Sequence, residues 1–392
     1  MTGSIDAAVA RIRAWGEARD WRGYDPYDAL NSPAAPVLTL GRPLGRRLLT
    51  QAVKHSPFNL RPLLGIQPDW NAKAVALVAS GYARLAAAGD ATARKAATRW
   101  LDWLAARGPG WGYNFPVQTR FFSYDAEAPN TIATSFAAHA LLDGFVLLDL
   151  ERLGPEVESA CDFLVQTMLT SDAEHGTFFR YVPGENDLVH NANLLAGSVL
   201  VRASRVLEQP QLLERARSAV LTSLAAQRAD GSWPYAASLG RGWVDNFHTA
   251  YVLESLALCA SSIPEARDAL DSGVDYWEHE LFLPDGTPKY APDHVLPVDA
   301  HCYASAIDAW LALAPWRTAA LERAERTSAL LVTRMLDPAG YVHFQQQRFW
   351  TNRVPYVRWT TAPSFKALSG LVLARSSGDV SPREEESDAC LD

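Results

Sequence analysis

The sequence predicts an all-α protein in which inner and outer helices alternate and close into an (α/α)6 toroid. The first observation behind this prediction is an internal repeat: five short segments each combine a glycine with nearby aromatic residues or a turn. Their glycines lie 64, 55, 55 and 54 residues apart, in the order Gly112, Gly176, Gly231, Gly286 and Gly340. A fixed period of this length is typical of repeated helix pairs. Glycine also supplies the positive φ that the predicted tight turns need.

The second observation is a strongly apolar helical run after each glycine turn. Segment 247–260, FHTAYVLESLALCA, is apolar almost all round and is therefore predicted to be buried on both sides. A helix with one polar face follows each run, as in 211–227, where apolar residues recur at three- and four-residue spacing. The predicted inner helices begin near Asn71, Asn130, Asn191, Asn246, Ala300 and Trp359.

Six buried runs predict a closed ring, because an open solenoid would need polar caps at both ends. Residues 1–375 are therefore predicted to form a single toroid domain. Within it, 1–69 is predicted to supply a strap and the outer helix that the repeat lacks. The tail, 376–392, is polar and acidic and is predicted to be disordered.

Composition limits the classes of function and the compartment. The formal charge of −8 argues against nucleic acid and an anionic membrane surface as partners, although it excludes neither for a local patch. Four widely spaced cysteines without a C-x-x-C pair favour a reducing compartment. No apolar run approaches the ~20 residues that cross a bilayer, and the start lacks a secretory apolar stretch. We predict a cytoplasmic protein without a membrane span; the sequence leaves its oligomeric state open.

In such a ring, the loops before the inner helices open at one mouth, where polar residues at the helix starts are predicted to converge. Carboxylates and imidazoles together supply a general acid and a general base, and we predict these roles for Asp245, His248, Asp299 and His301. Aromatic side chains suit stacking on sugar rings or shielding of a carbocation, and arginines suit a carboxylate or diphosphate. The predicted substrate-binding residues are Tyr113, Arg120, Asn130, Arg180, Tyr181, His190, Asn191, Tyr235, Trp243, Asn246, Tyr303, Arg358 and Trp359.

Each of these residues also has a structural interpretation. Aspartate at a helix start is a preferred N-cap, a buried histidine usually has a hydrogen-bond partner, and buried Cys302 behaves as a small hydrophobe. The residue types around 299–302 include zinc ligands, but adjacent helical residues point about 100° apart, and the usual ligand spacings are absent. We therefore predict neither a metal nor a cofactor.

Four motifs carry a resemblance to known families. The turn DGSWPY at 230–235 resembles the repeats of prenyltransferase and squalene-cyclase toroids. Together with WGYNFPVQTR at 111–120, VDNFHTAYVLESL at 244–256 and GYDPYDALNS at 23–32, it resembles bacterial polysaccharide-biosynthesis proteins of the VpsJ type. The first resemblance implies cyclisation or prenyl transfer, and the second implies making or modifying an exopolysaccharide. The DxDD and DDxxD motifs of the terpenoid enzymes are absent, and Asp299 stands one residue too early for a D-x-C-Y zinc motif.

Three hypotheses follow. The leading one is a carbohydrate-active protein of polysaccharide biosynthesis that binds a small-molecule or glycan substrate at the mouth and performs acid/base chemistry, as an epimerase, lyase or hydrolase. The second is a terpenoid cyclase or prenyltransferase, which predicts an apolar cavity lined by Trp and Tyr with one acid at its top. The third is a non-catalytic subunit that binds a glycan or a partner protein.

Overall fold

The structure, a computed structural model, describes residues 2–238 and 240–378, with side chains from residue 5 onward. A π-helical turn, Leu164–Met168, extends the helix Gly154–Phe163, and a second one, Val357–Thr361, leads into the helix Ala362–Ser376. The α-helices of the described ranges are α1 (Thr2–Glu17), α2 (Ala35–Thr39), α3 (Pro43–His55), α4 (Ala72–Ala87), α5 (Ala91–Ala105), α6 (Thr131–Leu148), α7 (Gly154–Phe163), α8 (His190–Val206), α9 (Pro210–Leu224), α10 (Asn246–Cys259), α11 (Glu265–Glu280), α12 (Ala300–Leu313), α13 (Ala320–Met335) and α14 (Ala362–Ser376).

Six helices, α4, α6, α8, α10, α12 and α14, form an inner ring. Each packs against the inner helix before and after it, and α14 packs against α4, which closes the ring. Helices α5, α7, α9, α11 and α13 form the outer layer, together with α1, which packs on α13 and α14. The predicted (α/α)6 toroid is confirmed, and the first helix of the chain completes the last helix pair.

The local sequence explains where the inner helices begin. Every predicted start lies within three residues of the helical start in the structure. Asn71, Asn130, Asp245 and Asp299 cap their helices by accepting backbone N–H groups. The turn glycines from Gly176 onward have positive φ. A Cβ on Gly231 would lie 2.3 Å from a neighbouring backbone carbonyl oxygen, so this turn also needs glycine for space.

Short antiparallel strands lie in the loops that precede the inner helices. They form two hairpins and one three-stranded sheet in the order β5–β6–β7. The strands are β1 (Val117–Gln118), β2 (Ser123–Tyr124), β3 (Leu169–Asp172), β4 (Gly176–Phe179), β5 (Val298–Asp299), β6 (Gln345–Gln346) and β7 (Thr351–Asn352). Of these strands, β1 and β2 lie at the mouth of the ring.

Two further predictions concern membrane spans and the tail. In the described part of the chain one helix, α6, is long and apolar enough to cross a membrane, but 78% of that window is buried inside the protein. It is therefore a core helix of the ring. The predicted disordered tail, 376–392, lies outside the described residues except for its first three, and Ser376 is the last residue of α14.

Candidate functional site

A cavity of about 350 Å³ opens at the end of the ring where the inner helices begin. The segment between α1 and α2, together with α3, completes its wall through Tyr27 and Gln51, and the β1–β2 hairpin covers one side. Residues dozens of positions apart in sequence therefore meet at one mouth. All six inner helices, or the turns leading into them, contribute to the lining, through Lys73, Ile132, Asn191, His248, His301 and Trp359.

Aromatic side chains form most of the wall. Tyr235 stacks on Trp243 with ring centroids 4.5 Å apart, and Phe122 stacks on Tyr181 at 4.6 Å. Flat apolar faces of this kind, together with a few polar groups, are typical of small-molecule sites. The Trp243 side chain is partly exposed at the rim, so an entering ligand would meet it first.

His248 and Asp245 form a dyad on the first turn of α10. The Asp245 carboxylate accepts from the His248 backbone N–H at 3.0 Å and contacts the imidazole Nδ1 at 2.6 Å. A proton on Nδ1 that points to the carboxylate leaves Nε2 as the basic nitrogen. His248 lines the cavity, and among the described residues its Nε2 has no protein partner. This geometry suits a general base.

A second imidazole, His301, belongs to a hydrogen-bonded chain at the floor of the cavity. Its Nδ1 lies 2.7 Å from the carbonyl oxygen of Trp359, so Nδ1 carries the proton and Nε2 accepts from the Tyr251 hydroxyl at 2.8 Å. The Lys73 ammonium lies 3.4 Å from the same hydroxyl. Burial lowers the pKa of His301 well below its usual value, and the nearby charge of Lys73 lowers that pKa further.

Lys73 is buried beside aromatic rings rather than beside a carboxylate. Its Nζ lies 4.2 Å from the Phe136 ring centroid, and within the described residues no carboxylate oxygen lies within 4.0 Å of it. Burial lowers the pKa of the Lys73 ammonium well below its usual value, and the charge of Arg358 acts in the same direction. The floor therefore carries a buried amine that can donate a hydrogen bond to a ligand.

Arg358 is held rigidly at the wall. Its Nη2 donates to Asp25 at 2.8 Å, and its Nε donates to the other oxygen of the same carboxylate. The guanidinium also lies over the Tyr113 ring, 4.8 Å from its centroid. Bidentate pairing of this kind fixes the orientation of the guanidinium. Asp25, in the segment between α1 and α2, thus positions a cation in the cavity wall.

Asp299 lies behind the cavity wall. It caps α12 by accepting from the His301 N–H at 2.8 Å, and it also accepts from Gln345 at 2.7 Å and from the Trp359 indole at 3.1 Å. Burial raises the pKa of Asp299 to about 6. Asp245 also lies outside the lining of the main cavity, in a small adjoining crevice. Both carboxylates thus act as caps and position ring systems that do face the cavity.

The structure brings ten of the predicted residues into the lining and leaves seven outside it. The lining includes His248 and His301 and the predicted binding residues Tyr113, Arg120, Tyr181, Asn191, Tyr235, Trp243, Arg358 and Trp359. Outside it, with the two aspartates, lie Asn130, Arg180, His190, Asn246 and Tyr303.

These five residues correct the expectation that every polar residue at a helix start faces the mouth. Asn246 bonds the Leu281 carbonyl at 2.6 Å, and Tyr303 lies near Arg334, so both face the outer helices. His190 bonds Ser223. Asn130 caps α6. Arg180 directly precedes Tyr181, but only the Tyr181 side chain lines the cavity. Successive residues on a helix point about 100° apart, so neighbours in sequence face different layers.

A second cavity, of about 520 Å³, opens at the opposite end of the ring. Lys366 bonds Asp308 at 3.0 Å and Glu254 at 3.3 Å there, and Arg84 also bonds Asp308. Phe136 lines this cavity, while Lys73 and Tyr251, which contact its ring, line the first one. These three side chains, the axial plug, therefore separate the two cavities.

The residues that sequence reasoning missed lie deeper than the rim. Lys73 is the second residue of α4, two positions after the cap Asn71, whereas Tyr251 lies further along α10. The detectable signal for Lys73 was a lysine at the start of an apolar run. Within the described residues, no cluster of three or more His, Cys, Asp or Glu side chains could hold a metal ion.

The sequence matches no protein-family model and no curated protein sequence. Its structure is similar to an α-mannanase of glycoside hydrolase family 76 from Bacteroides thetaiotaomicron, with TM-score 0.62, 12% identity, and coverage of 79% of this chain and 88% of that one. It is also similar to a heparin-specific unsaturated glucuronyl hydrolase, with TM-score 0.61, 13% identity, and coverage of 95% of this chain and 97% of that one. A cellobiose 2-epimerase from Bacillus thermoamylovorans is similar with TM-score 0.57, 11% identity, and coverage of 78% of this chain and 88% of that one. The shared feature is the fold.

Proposed function

We propose that this protein is a carbohydrate-acting enzyme of polysaccharide biosynthesis or modification, which binds a sugar at the toroid mouth and moves protons on it. The observation that carries the proposal is the pair of oriented imidazoles, His248 and His301, in one aromatic cavity. Each has its Nδ1 partner set by a neighbouring oxygen, which makes Nε2 the acceptor: Nε2 of His248 has no protein partner among the described residues, and Nε2 of His301 accepts from the Tyr251 hydroxyl. The ring of Phe247 contacts both, with centroids 4.1 and 5.3 Å away.

Three observations narrow the chemistry. No Asp or Glu is found among the described residues that line this cavity, whereas hydrolysis by a glycosidase usually needs two carboxylates beside the scissile bond. Removal of a proton next to a carbonyl, as in epimerisation, isomerisation or β-elimination, needs an imidazole base and donors for the developing oxyanion. His248 supplies the base, and Lys73 and Arg358 supply donors. The solved structures of similar fold include a cellobiose 2-epimerase and a D-mannose isomerase, which adds support.

Exchange of carbon-bound hydrogen tests the proposal. The protein is incubated in deuterated buffer with a panel of aldoses, uronates and short oligosaccharides, and proton NMR follows the C–H next to the carbonyl. We expect exchange on at least one sugar, and we expect His248→Asn and His301→Asn to abolish it. His175→Asn is the matched control, because His175 also contacts an aspartate, Asp172, but lies outside the cavity. Sugar binding without exchange or turnover would instead identify a binding module.

The aromatic lining favours one alternative. Twelve of the 25 lining residues are Phe, Tyr or Trp, and such a surface can also shield a carbocation. A terpenoid cyclase or prenyltransferase would bind an isoprenyl diphosphate through Lys73, Arg120 and Arg358. Thermal shift separates the two functions, because a ligand that binds the folded state raises the melting temperature. Stabilisation by isoprenyl diphosphates and not by sugars would favour the alternative.

A further inference from the structure

Residues 35–63, which comprise α2, α3 and the residues that follow α3, expose an unusual apolar surface. Of the thirteen large hydrophobic residues exposed in the described part of the chain, seven lie between residues 37 and 63. Their side chains are 55% to 85% exposed, far beyond the isolated exposed leucine of an ordinary surface. The seven are Val37, Leu38, Leu40, Leu44, Leu48, Phe58 and Leu63.

The same segment is strongly basic in an acidic protein. Residues 35–63 contain four arginines and one lysine and no Asp or Glu, whereas the whole chain carries a formal charge of −8. Arg61 is buried and paired with Asp28, and Lys54 donates to the Tyr27 hydroxyl, so the cations of the surface are Arg42, Arg46 and Arg47. Arg42 is exposed, and Arg46 and Arg47 are half-buried on the helix that carries Leu44 and Leu48. Apolar side chains interleaved with basic ones are typical of helices that lie in the interface of an anionic membrane.

The position of α3 gives this surface an orientation. On one side Thr50 and Gln51 line the main cavity. On the other, Leu44 and Leu48, one helical turn apart, point to solvent. The β6–β7 hairpin lies next to the end of α3, where Asn352 donates to the Ser56 carbonyl at 3.2 Å, and it exposes Phe349 at its tip. The exposed apolar surface and the mouth of the ring therefore share one helix.

We propose that the segment 35–63 docks on the surface of an anionic lipid bilayer and holds the mouth of the toroid beside it. A second copy of the chain fits this surface less well, because a twofold contact places each patch against itself. The arginines of one copy would then oppose those of the other, with no acidic residue in the segment to pair with them. The total charge of the chain, which argued against an anionic membrane, hides this local reversal of sign. The proposal stands independently of the chemistry in the cavity.

Flotation of the protein with vesicles tests the docking. We expect the protein to float with vesicles that contain phosphatidylglycerol and much less with pure phosphatidylcholine, and we expect added salt to weaken the binding. The variant Arg42→Gln with Arg46→Gln should bind roughly 25-fold more weakly, at about fivefold for each basic residue. The variant Leu44→Ser with Leu48→Ser should bind vesicles about a hundredfold more weakly, because it loses the free energy gained when the two leucine side chains move from water into the bilayer.

Matched controls change the same residue types elsewhere on the surface. Arg215→Gln with Lys95→Gln removes two exposed cations, and Val146→Ser removes an exposed apolar side chain; both are expected to bind vesicles like the unmodified protein. Absence of flotation with either vesicle, or equal flotation of all variants, overturns the proposal. A dimer in size-exclusion chromatography that Leu44→Ser with Leu48→Ser dissociates, without vesicle binding, would assign the surface to a second copy. Capture by neutral vesicles alone would also overturn it.

Discussion

Asparagine in place of Asp245 separates two tasks that one carboxylate performs. The Oδ1 atom caps α10 by accepting the backbone N–H of His248 at 3.0 Å, and Oδ2 contacts the imidazole Nδ1 at 2.6 Å. Asp245→Asn keeps an oxygen for the cap but places an NH₂ group where Nδ1–H needs an acceptor. The imidazole then favours the tautomer with the proton on Nε2, which is no longer a base.

The expected magnitudes follow from those two contacts. Loss of a positioned general base lowers the rate by roughly 10²- to 10⁴-fold. The cap survives in Asp245→Asn, so its melting temperature should stay close to that of the unmodified protein. Asp245→Ala removes the cap as well and should cost a further ~1 kcal/mol of the free energy of unfolding, which in a chain of this size is about 2 °C or less.

Hydrogen exchange on the responsive sugar and thermal denaturation together measure both effects. Asp172→Asn is the control, because it makes the same change in an aspartate–histidine pair outside the cavity. Full activity in Asp245→Asn would refute the base assignment. Equal loss of activity in the control would point to a general effect of the substitution.

Three other predictions concern stability. Burial raises the pKa of Asp299 to about 6, above the ~3.9 of an aspartate in an unfolded chain. Between about pH 4 and pH 6 the folded state therefore binds more protons than the unfolded state. The free energy of unfolding should fall as the pH rises through this range, by at most about 3 kcal/mol. Asp299→Asn should remove that slope, and a constant difference between the two proteins in thermal melts from pH 4 to 7 would contradict this. Lys366→Met leaves Glu254 without a cation and removes one of the two cations that pair with Asp308, so it should cost about 3–5 kcal/mol in urea denaturation. Arg217→Met, in an exposed pair, should cost less than about 1 kcal/mol; similar losses in both would refute the assignment. Gly231→Ala should lower the free energy of unfolding by about 3 kcal/mol, because the position has a positive φ and the new Cβ would clash with the backbone. Gly184→Ala, at φ +87° in open space, should lower it by only about 1 kcal/mol. Equal unfolding midpoints of the two variants in denaturant would show that the clash relaxes.

The fold was predictable because its signals are local and repeated. A glycine turn such as Gly231, followed by a run that is apolar all round, predicts both the position and the burial of an inner helix. Closure of the ring followed from the number of runs. The outer helix that the repeat lacks was predicted only as part of segment 1–69. That α1 is this helix has no signal as local as the glycine turns, because α1 and α14 lie at opposite ends of the chain.

The site was predictable only at its rim. Asp245, His248 and His301 stand at helix starts, where a polar residue is conspicuous. Lys73 stands at the start of α4 in the position that His301 holds on α12, so a polar residue was conspicuous there too. Tyr251 lies within α10, whose sides are almost all buried, so hydrophobic periodicity no longer shows which of its residues face the ring axis. Side-chain direction also explains why predicted residues such as Asn246 and Tyr303 lie outside the cavity lining, because one step along a helix turns a side chain from the cavity to the outer layer.

The axial plug has a consequence for how a polymer could be handled. Because Phe136, Tyr251 and Lys73 close the middle of the ring, the mouth is a blind pocket, and a long chain has no exit on the far side. A glycan that enters the mouth would have to leave by the same route. Threading of a polymer through the ring is incompatible with this geometry, which suits chemistry on chain ends and short building blocks.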